Sequence, residues 1–223
     1  MARISVVVPT LWRFAPFADV CIDVANCERV KEVILINNNT LDQPQLTHDI
    51  WSHPKITILN FGQNIFVNPA WNVGVYHSSG DIVCLWNDDV IFDLHLFDLV
   101  DQQFDPSQGA WGLWSSWPDT QIHLHVHTEQ GLWGWGQLMF VSKKHWLDIP
   151  PELLVYCGDL WIFDTQKIFS GQNIYFSGLL YFTPGGVGGT SSRTYVHTVW
   201  RERDLYLRAL KDYNLNYTLG FGD

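Results

Sequence analysis

Residues 4–10 read Ile-Ser-Val-Val-Val-Pro-Thr, and this run decides how the chain begins to fold. An unbroken β-branched stretch stopped by proline is typical of a strand buried on both faces, as in a parallel sheet covered by helices. Phe14–Cys27 carries apolar residues at helical spacing, and Val33–Ile36 is a second buried strand. The order is therefore strand, helix, strand.

The alternation continues along the first half of the chain. Ile56–Asn60 predicts a third strand, and Asn68 and Pro69 suit the cap and first position of a helix that stops at Ser78–Gly80. Asp81–Trp86 is a fourth strand. Four strands separated by helices predict right-handed crossovers and a mostly parallel sheet.

After residue 105 the pattern becomes mixed. Three further strands and two further helices are expected, at Trp111–Trp117, Ile122–His127, Gln137–Ser142, Asp159–Phe169 and Arg201–Tyr213. No polar linker divides the chain. We expect one α/β domain over residues 1–223, with a mostly parallel central sheet flanked by helices and a small mixed β portion.

Composition excludes several classes of protein. Hydrophobic residues make up 47% of the 223 and charged residues 16%, which is typical of a globular chain rather than a disordered one. Lys and Arg number 13 against 23 Asp and Glu, a net charge of −10 that disfavours binding to nucleic acid.

No apolar stretch approaches the roughly 20 residues of a membrane span. The chain begins without an apolar leader, and its four cysteines lack disulfide or zinc spacing, so we expect a reducing, cytoplasmic compartment, the host cytoplasm if the protein is viral.

Polar residues follow each predicted parallel strand. They are Pro9-Thr10, Asn37-Asn38-Asn39, Asn60 and Asn87-Asp88-Asp89. Ligands of open α/β sheets bind outside the carboxyl ends of the strands, so these residues predict a binding rim. Turn chemistry alone also favours Asn and Asp at these positions.

Asn87-Asp88-Asp89 is the most specific of these motifs. Adjacent carboxylates are costly to hold together unless a cation or hydrogen bonds neutralise them, and oxygen ligands suit Mg²⁺ or Mn²⁺ bridging a substrate diphosphate. The alternative is that Asp88 and Asp89 only cap the segment that follows.

The order of these motifs resembles the family 2 type of GT-A fold glycosyltransferases, in a compact stand-alone form of viral or bacterial type. The resemblance covers roughly residues 4–170 and rests on residues 5–10, 33–38, 68–74 and 80–89. It implies that about 1–105 binds a nucleotide sugar and about 106–223 binds the acceptor, with a C-terminal flap at Gly185–Ser192 and a final helix.

The resemblance also implies roles for single residues. It implies nucleotide-sugar contacts for Pro9, Thr10, Asn38, Asn68, Asn72, Asn87 and Asp88, with residues 87–89 as the DxD-type motif. It implies metal ligation by Asp89, with His197 as a second candidate ligand, and a catalytic base at Asp159. Trp161, in the same segment as Asp159, is expected at the acceptor.

Alternatives remain for several of these residues. Asp159 also suits the dipole of a helix start, and His197 also suits a local structural role. Trp133 and Trp135 lie among glycines and are candidates for stacking on the acceptor or for packing. His123, His125 and His127 share one strand face, which is compatible with metal or with a polar surface.

The resemblance implies transfer of one sugar from a nucleotide-diphosphate sugar to an acceptor hydroxyl, with inversion and with Mn²⁺ or Mg²⁺. A UDP-sugar is the first candidate donor, followed by GDP- and dTDP-sugars. The acceptor is a glycan or another hydroxyl, and nucleic acid is expected only as a modified-base acceptor. Two other functions stay open: a non-catalytic carbohydrate- or nucleotide-binding module, suggested by Asn where relatives carry acidic residues at 37 and 87, and a sugar-phosphate nucleotidyltransferase.

Overall fold

A computed structural model describes residues 3–118, 121–127, 136–170, 172–178, 181–183 and 196–213, with the side chains of 114–118, 169, 170, 196 and 197 excepted. The strands are β1 (Ile4–Thr10), β2 (Val30–Asn37), β3 (Ile56–Asn60), β4 (Ile82–Trp86), β5 (Ile91–Phe92), β6 (Trp111–Pro118), β7 (His123–His127), β8 (Leu138–Ser142), β9 (Asn173–Gly178) and β10 (Tyr181–Phe182). The α-helices are α1 (Phe17–Asn26), α2 (Val67–His77), α3 (His95–Gln103), α4 (Gly158–Ser170) and α5 (Val196–Asp212).

The first four strands form the parallel half of one sheet, in the order β3-β2-β1-β4. Alternate residues of β1 face opposite layers: Val6 and Val8 pack with α1, whereas Val7 packs with α2. A central strand of a sheet that is covered on both faces is buried along its length, and every residue of β1 is buried. Its polar residues Ser5 and Thr10 donate to the carboxylates of Glu32 and Asp88. The predicted mostly parallel α/β architecture is confirmed.

The second half of the sheet is mixed. β8 runs antiparallel to β4, and β6, β9 and β7 follow it outward, while β5 and β10 form a separate antiparallel pair. α4 and α5 pack on the α2 face through Leu160, Trp161, Tyr206 and Leu210. The antiparallel contact between β4 and β8 therefore joins the two halves of the chain.

Some predicted boundaries are wrong. Asn68 does not cap α2, because the helix already begins at Val67 and Phe66 occupies the cap position without a side-chain hydrogen bond. The last helix begins at Val196 instead of Arg201. Helix α3 and strands β5, β9 and β10 were not predicted.

Two expectations about the whole chain can be compared with the described residues. All four cysteines are free thiols. Within the described ranges, no helix has the length and apolar character needed to cross a bilayer.

Candidate active site

The carboxyl ends of β1, β2 and β4 meet at one edge of the sheet. The Thr10 hydroxyl donates to Asp88 Oδ2 at 2.6 Å, and the backbone N–H of Leu11 donates to the same oxygen at 3.2 Å. The N–H of Asn38 donates to the Thr10 carbonyl at 2.9 Å. Residues predicted separately from three strand ends therefore form one connected rim.

Asp88 lies in this rim, and the pKa of its carboxyl is raised. Burial raises its pKa from 3.8 to about 6, and the charge of Asp89 adds to the increase, while hydrogen bonds from Thr10 and Leu11 oppose it. The side chains of Pro9 and Thr10 are themselves buried. The Thr10 hydroxyl orients Asp88, and the nucleotide contacts of Pro9 and Thr10 stay predictions.

Asn38 and Asn37 have different places in the site: Asn38 lies in the rim, and Asn37 supports the rim. Asn38 Oδ1 accepts from the N–H of Ile65 at 3.1 Å, and its side-chain NH₂ donates to no described residue. Asn37 instead accepts from Trp12 Nε1 at 2.7 Å and donates to Asn60 Oδ1 at 2.8 Å. The nucleotide contact of Asn38 stays a prediction, and Asn37 links the ends of β2 and β3.

Asp89 has the surroundings of a cation ligand. Its carboxylate is partly buried, burial raises its pKa, and among the described residues its only hydrogen bond comes from its own backbone N–H. A desolvated carboxylate without a counter-charge fits a divalent cation that takes its remaining oxygens from a substrate diphosphate. The described part of the chain contains no cluster of three or more His, Cys, Asp or Glu that could hold a metal by itself.

Asp159 lies in the first turn of α4. Burial raises the pKa of its carboxyl, and hydrogen bonds from the backbone N–H groups of Leu160, at 2.9 Å to Oδ1, and of Gly136 oppose the increase. A Cβ atom at residue 136 would lie 2.9 Å from Asp159 Oδ2. Only glycine lets the backbone approach the carboxylate this closely.

Asp159 and the Asn87–Asp89 motif are connected through the backbone of Gly136 and Gln137. The Gln137 carbonyl accepts from the N–H of Asn87 at 3.1 Å, and Gly136 contacts Asp159. Asn87–Asp89 at the end of β4 and Asp159 at the start of α4 thus lie on either side of the entry to β8. The structure brings together the residues predicted for the donor and for the catalytic base.

Three other predicted site residues make contacts within the protein. Asn68 is fully buried, and its Nδ2 donates to the Tyr156 carbonyl at 3.0 Å. Asn72 exchanges two hydrogen bonds with the backbone of Ile149, at 2.8 and 2.9 Å. Trp161 is 0% exposed and cannot touch an acceptor. Burial contradicts the predicted ligand contacts of Asn68 and Trp161, whereas the nucleotide-sugar contact of the half-buried Asn72 stays a prediction.

Sequence reasoning missed Glu202 on α5, which is 2% exposed. Its Oε2 accepts from the backbone N–H groups of Val155 at 3.0 Å and Tyr156 at 2.5 Å. The available signal was its place in the stripe Glu202, Tyr206, Leu210, which marks one buried helix face. A carboxylate in such a stripe requires polar partners.

Several predictions lie outside the described residues. They concern Trp133, Trp135, the Gly185–Ser192 segment and the side chain of His197, whose backbone lies in α5. On β7, His125 stacks on Tyr175 with ring centroids 4.6 Å apart and contacts Ser177 Oγ at 2.9 Å. That part of the histidine row is engaged in packing within the sheet.

The mixed α/β sheet with its flanking helices has the GT-A fold of solved glycosyltransferases. Solved structures share this fold over nearly the whole chain. The S. aureus TarS fragment 1–349 in complex with UDP-GlcNAc has a TM-score of 0.66 and 11% identity, covering 97% of this chain and 68% of that one. Mannosyltransferase PcManGT from Pyrobaculum calidifontis, in complex with GDP-Man and Mn²⁺, has a TM-score of 0.58 and 18% identity, covering 97% and 65%. GalNAc-T7 with UDP, GalNAc and Mn²⁺ has a TM-score of 0.59 and 10% identity, covering 93% and 48%.

Residues 5–168 match glycosyl transferase family 2, and the chain belongs to that family. Its family and its fold are those of glycosyltransferases. No curated protein matches the chain by sequence. The chain spans 59% of the TarS fragment in its UDP complex and 36% of a longer TarS structure.

Proposed function

We propose that the protein transfers one sugar from a nucleotide-diphosphate sugar to an acceptor hydroxyl, with a divalent metal and with inversion at the anomeric carbon. The observation that carries this proposal is the connection of Asp159 to Asn87–Asp89 through Gly136 and Gln137. Asp89, which has no counter-charge among the described residues, would serve donor binding, and the desolvated carboxyl of Asp159 would serve acceptor activation.

On the donor side, Asp89 is the residue that would hold Mn²⁺ or Mg²⁺. The bound cation supplies neutralisation of the charge that develops on the departing diphosphate. Asp88, oriented by Thr10 and Leu11, and Asn38, whose NH₂ group donates to no described residue, are the candidates to support the nucleoside. A UDP-sugar is the proposed donor; UDP-GlcNAc and GDP-Man are bound in the similar structures of TarS and PcManGT.

On the acceptor side, Asp159 acts as the general base. Its carboxylate takes the proton of the acceptor hydroxyl as that oxygen forms a bond to the anomeric carbon, and the bond from this carbon to the diphosphate oxygen breaks. Burial raises the pKa of Asp159 and so makes its carboxylate a stronger base. The N–H groups of Gly136 and Leu160 fix the direction of the carboxylate. The acceptor is a glycan or another hydroxyl compound.

The test compares wild type, D159N and D148N with UDP-, GDP- and dTDP-sugars in the presence of Mn²⁺. Release of nucleoside diphosphate, sugar transfer to an acceptor mixture and donor binding by calorimetry are measured for each protein. We expect D159N to bind donor normally while its turnover falls by about 10²- to 10⁴-fold, the usual contribution of a general base. D148N, which changes an exposed carboxylate that precedes α4, should behave as wild type.

Two results would contradict the proposal. Wild-type activity in D159N would remove Asp159 from the mechanism. Donor binding by wild type without any release of nucleotide would instead support a non-catalytic binding module.

A further inference from the structure

Glu202 is a buried carboxylate that the proposed chemistry does not use. It lies on the inner face of α5 and is 2% exposed, so it contacts no substrate. Successive N–H groups of Val155 and Tyr156 converge on Oε2 at 3.0 and 2.5 Å, and Val155 N–H also lies 3.3 Å from Oε1. Successive backbone N–H groups that point to one side form a concave anion site, and here a side chain from α5 fills it.

The same segment is held from its other side by α2. The backbone N–H of Asn68 donates to the Leu154 carbonyl at 3.2 Å, and Asn68 Nδ2 donates to the Tyr156 carbonyl at 3.0 Å. A Cβ atom on Gly158 would lie 2.1 Å from Asn68 Oδ1. Residues 154–158, called here the α4 approach segment, are therefore fixed between α2 and α5.

The α4 approach segment leads directly into Asp159. Cys157 takes a left-handed conformation with φ of 58°, which costs about 1–2 kcal/mol for a residue with a side chain. Such a turn persists only where its surroundings determine it, and Glu202 and Asn68 bind the backbone immediately before it. The N–H of Trp161 then donates to the Cys157 carbonyl at 2.9 Å, so the turn and the first turn of α4 move together.

We propose that Glu202 is a positioning residue for Asp159: by holding the N–H groups of Val155 and Tyr156, it fixes the α4 approach segment and hence the direction of the Asp159 carboxylate toward the acceptor. The proposal rests on the proposed function of Asp159. It makes α5 a part of the catalytic geometry although the described face of α5 contributes no group to the reaction.

A purely structural role for Glu202 predicts a different result. A buried carboxylate that only stabilises the fold would lower the melting temperature when replaced, and the folded fraction would keep its turnover number. A positioning residue changes kcat in the folded protein and leaves the donor KM unchanged, because donor binding depends on the rim at β1, β2 and β4.

The experiment measures kcat, donor KM and melting temperature for wild type, E202Q, D204N and Y206F, at a temperature where each is folded by circular dichroism. E202Q retains the shape of the side chain but removes its charge and one acceptor oxygen. D204N removes a charge from the exposed face of the same helix, and Y206F removes the buried hydroxyl that donates to Asp164 one turn further on. We expect E202Q to lower kcat by about 10- to 100-fold with an unchanged donor KM, since small displacements of a reacting group have effects of this size.

Y206F should lower the melting temperature without this loss of kcat, and D204N should change neither. An E202Q protein with reduced melting temperature and wild-type kcat would overturn the inference and leave the proposed function standing. Wild type that turns over no donor would overturn the proposed function and this inference with it, before any variant is compared. If E202Q does not fold, E202D, which retains the charge with a shorter reach, takes its place and should lower kcat in the same direction.

Discussion

Asp88 and Asp89 are neighbours in the chain but differ in the hydrogen bonds that their carboxylates accept. Asp88 Oδ2 accepts two hydrogen bonds from the β1 end, whereas the Asp89 carboxylate receives a hydrogen bond only from its own backbone N–H among the described residues. The first is thus fixed as an orienting group, and the second is left for a cation. The Thr10 hydroxyl and the Leu11 N–H thus distinguish Asp88 from Asp89.

The raised pKa of Asp88 predicts a specific dependence of stability on pH. Because the folded-state value is about 6 and the ordinary value is 3.8, the native state binds the extra proton, and stability is lost as the pH rises through this interval. D88N cannot ionise. We expect its free energy of unfolding, relative to wild type, to increase by about 3 kcal/mol between pH 3.5 and pH 7, as two pKa units require.

Urea denaturation of both proteins across this pH range, without metal, measures the difference. A difference that stays constant with pH would show that Asp88 ionises normally in the native state.

The backbone conformation at Phe66 predicts that glycine is more stable than alanine at this position. Its φ of 65° and ψ of 172° fall in a region that is accessible almost only to glycine, and the ring is 39% exposed. F66G removes the strain and F66A retains it, although both delete the ring. We expect F66G to be more stable than F66A by about 1–2 kcal/mol in chemical denaturation. Equal stabilities would mean that the backbone at residue 66 is relaxed.

For single residues, the sequence predicts a position at the sheet edge only where the residue directly follows a strand. Asn87–Asp89 and Asn38 were located because a buried strand places the next residue at the sheet edge. Asn68, Trp161 and Glu202 were assigned wrongly or missed because burial depends on what packs against a helix. The 3.6-residue period shows which residues share a helix face but does not show what covers that face.

At the scale of elements, the contact of α2 with β1 is closest at Gly74. A Cβ atom there would lie 2.1 Å from Val7 Cγ1, so only glycine allows the helix to approach the central strand. G74A should destabilise the protein by about 1–3 kcal/mol through overpacking, despite the better helix propensity of alanine.

The matched test is a double-mutant cycle with V7A, which removes the opposing methyl groups. We expect the double variant to lose at least about 0.5 kcal/mol less than the sum of the single losses, measured by urea denaturation. Additive losses would show that the two side chains do not meet.

The elements with continuous apolar runs carry the strongest sequence signal. β1, β2 and β4 are buried on both faces and therefore carry a strong signal. β9, with the sequence Asn-Ile-Tyr-Phe-Ser-Gly, mixes polar and apolar residues because it lies near the sheet edge between β6 and β7. Its place depends on pairing with distant strands, which no local pattern encodes.

At the scale of the whole molecule, the site lies where the parallel and mixed halves of the sheet join. β4 ends in the acidic rim, and its antiparallel partner β8 begins after Gly136 and Gln137, which contact Asp159 and Asn87. Reversal of chain direction at this junction places the end of one strand beside the start of the other. Groups from both halves of the chain consequently meet at one edge of the sheet.

The net charge of −10 and the acidic rim together predict that metal precedes donor binding. A nucleoside diphosphate is itself an anion, so it meets unfavourable potential until a cation is held at Asp89. We expect UDP with Mn²⁺ to raise the melting temperature by several degrees, since a ligand at about 100 times its Kd adds about 2.7 kcal/mol to stability. UDP with EDTA should give a much smaller shift.

D89N should lose the Mn²⁺-dependent part of the shift, whereas D81N, which removes an exposed carboxylate at the opposite end of β4, should keep it. An equal shift with Mn²⁺ and with EDTA would contradict the assignment of Asp89, because the rim would then bind the diphosphate without a cation.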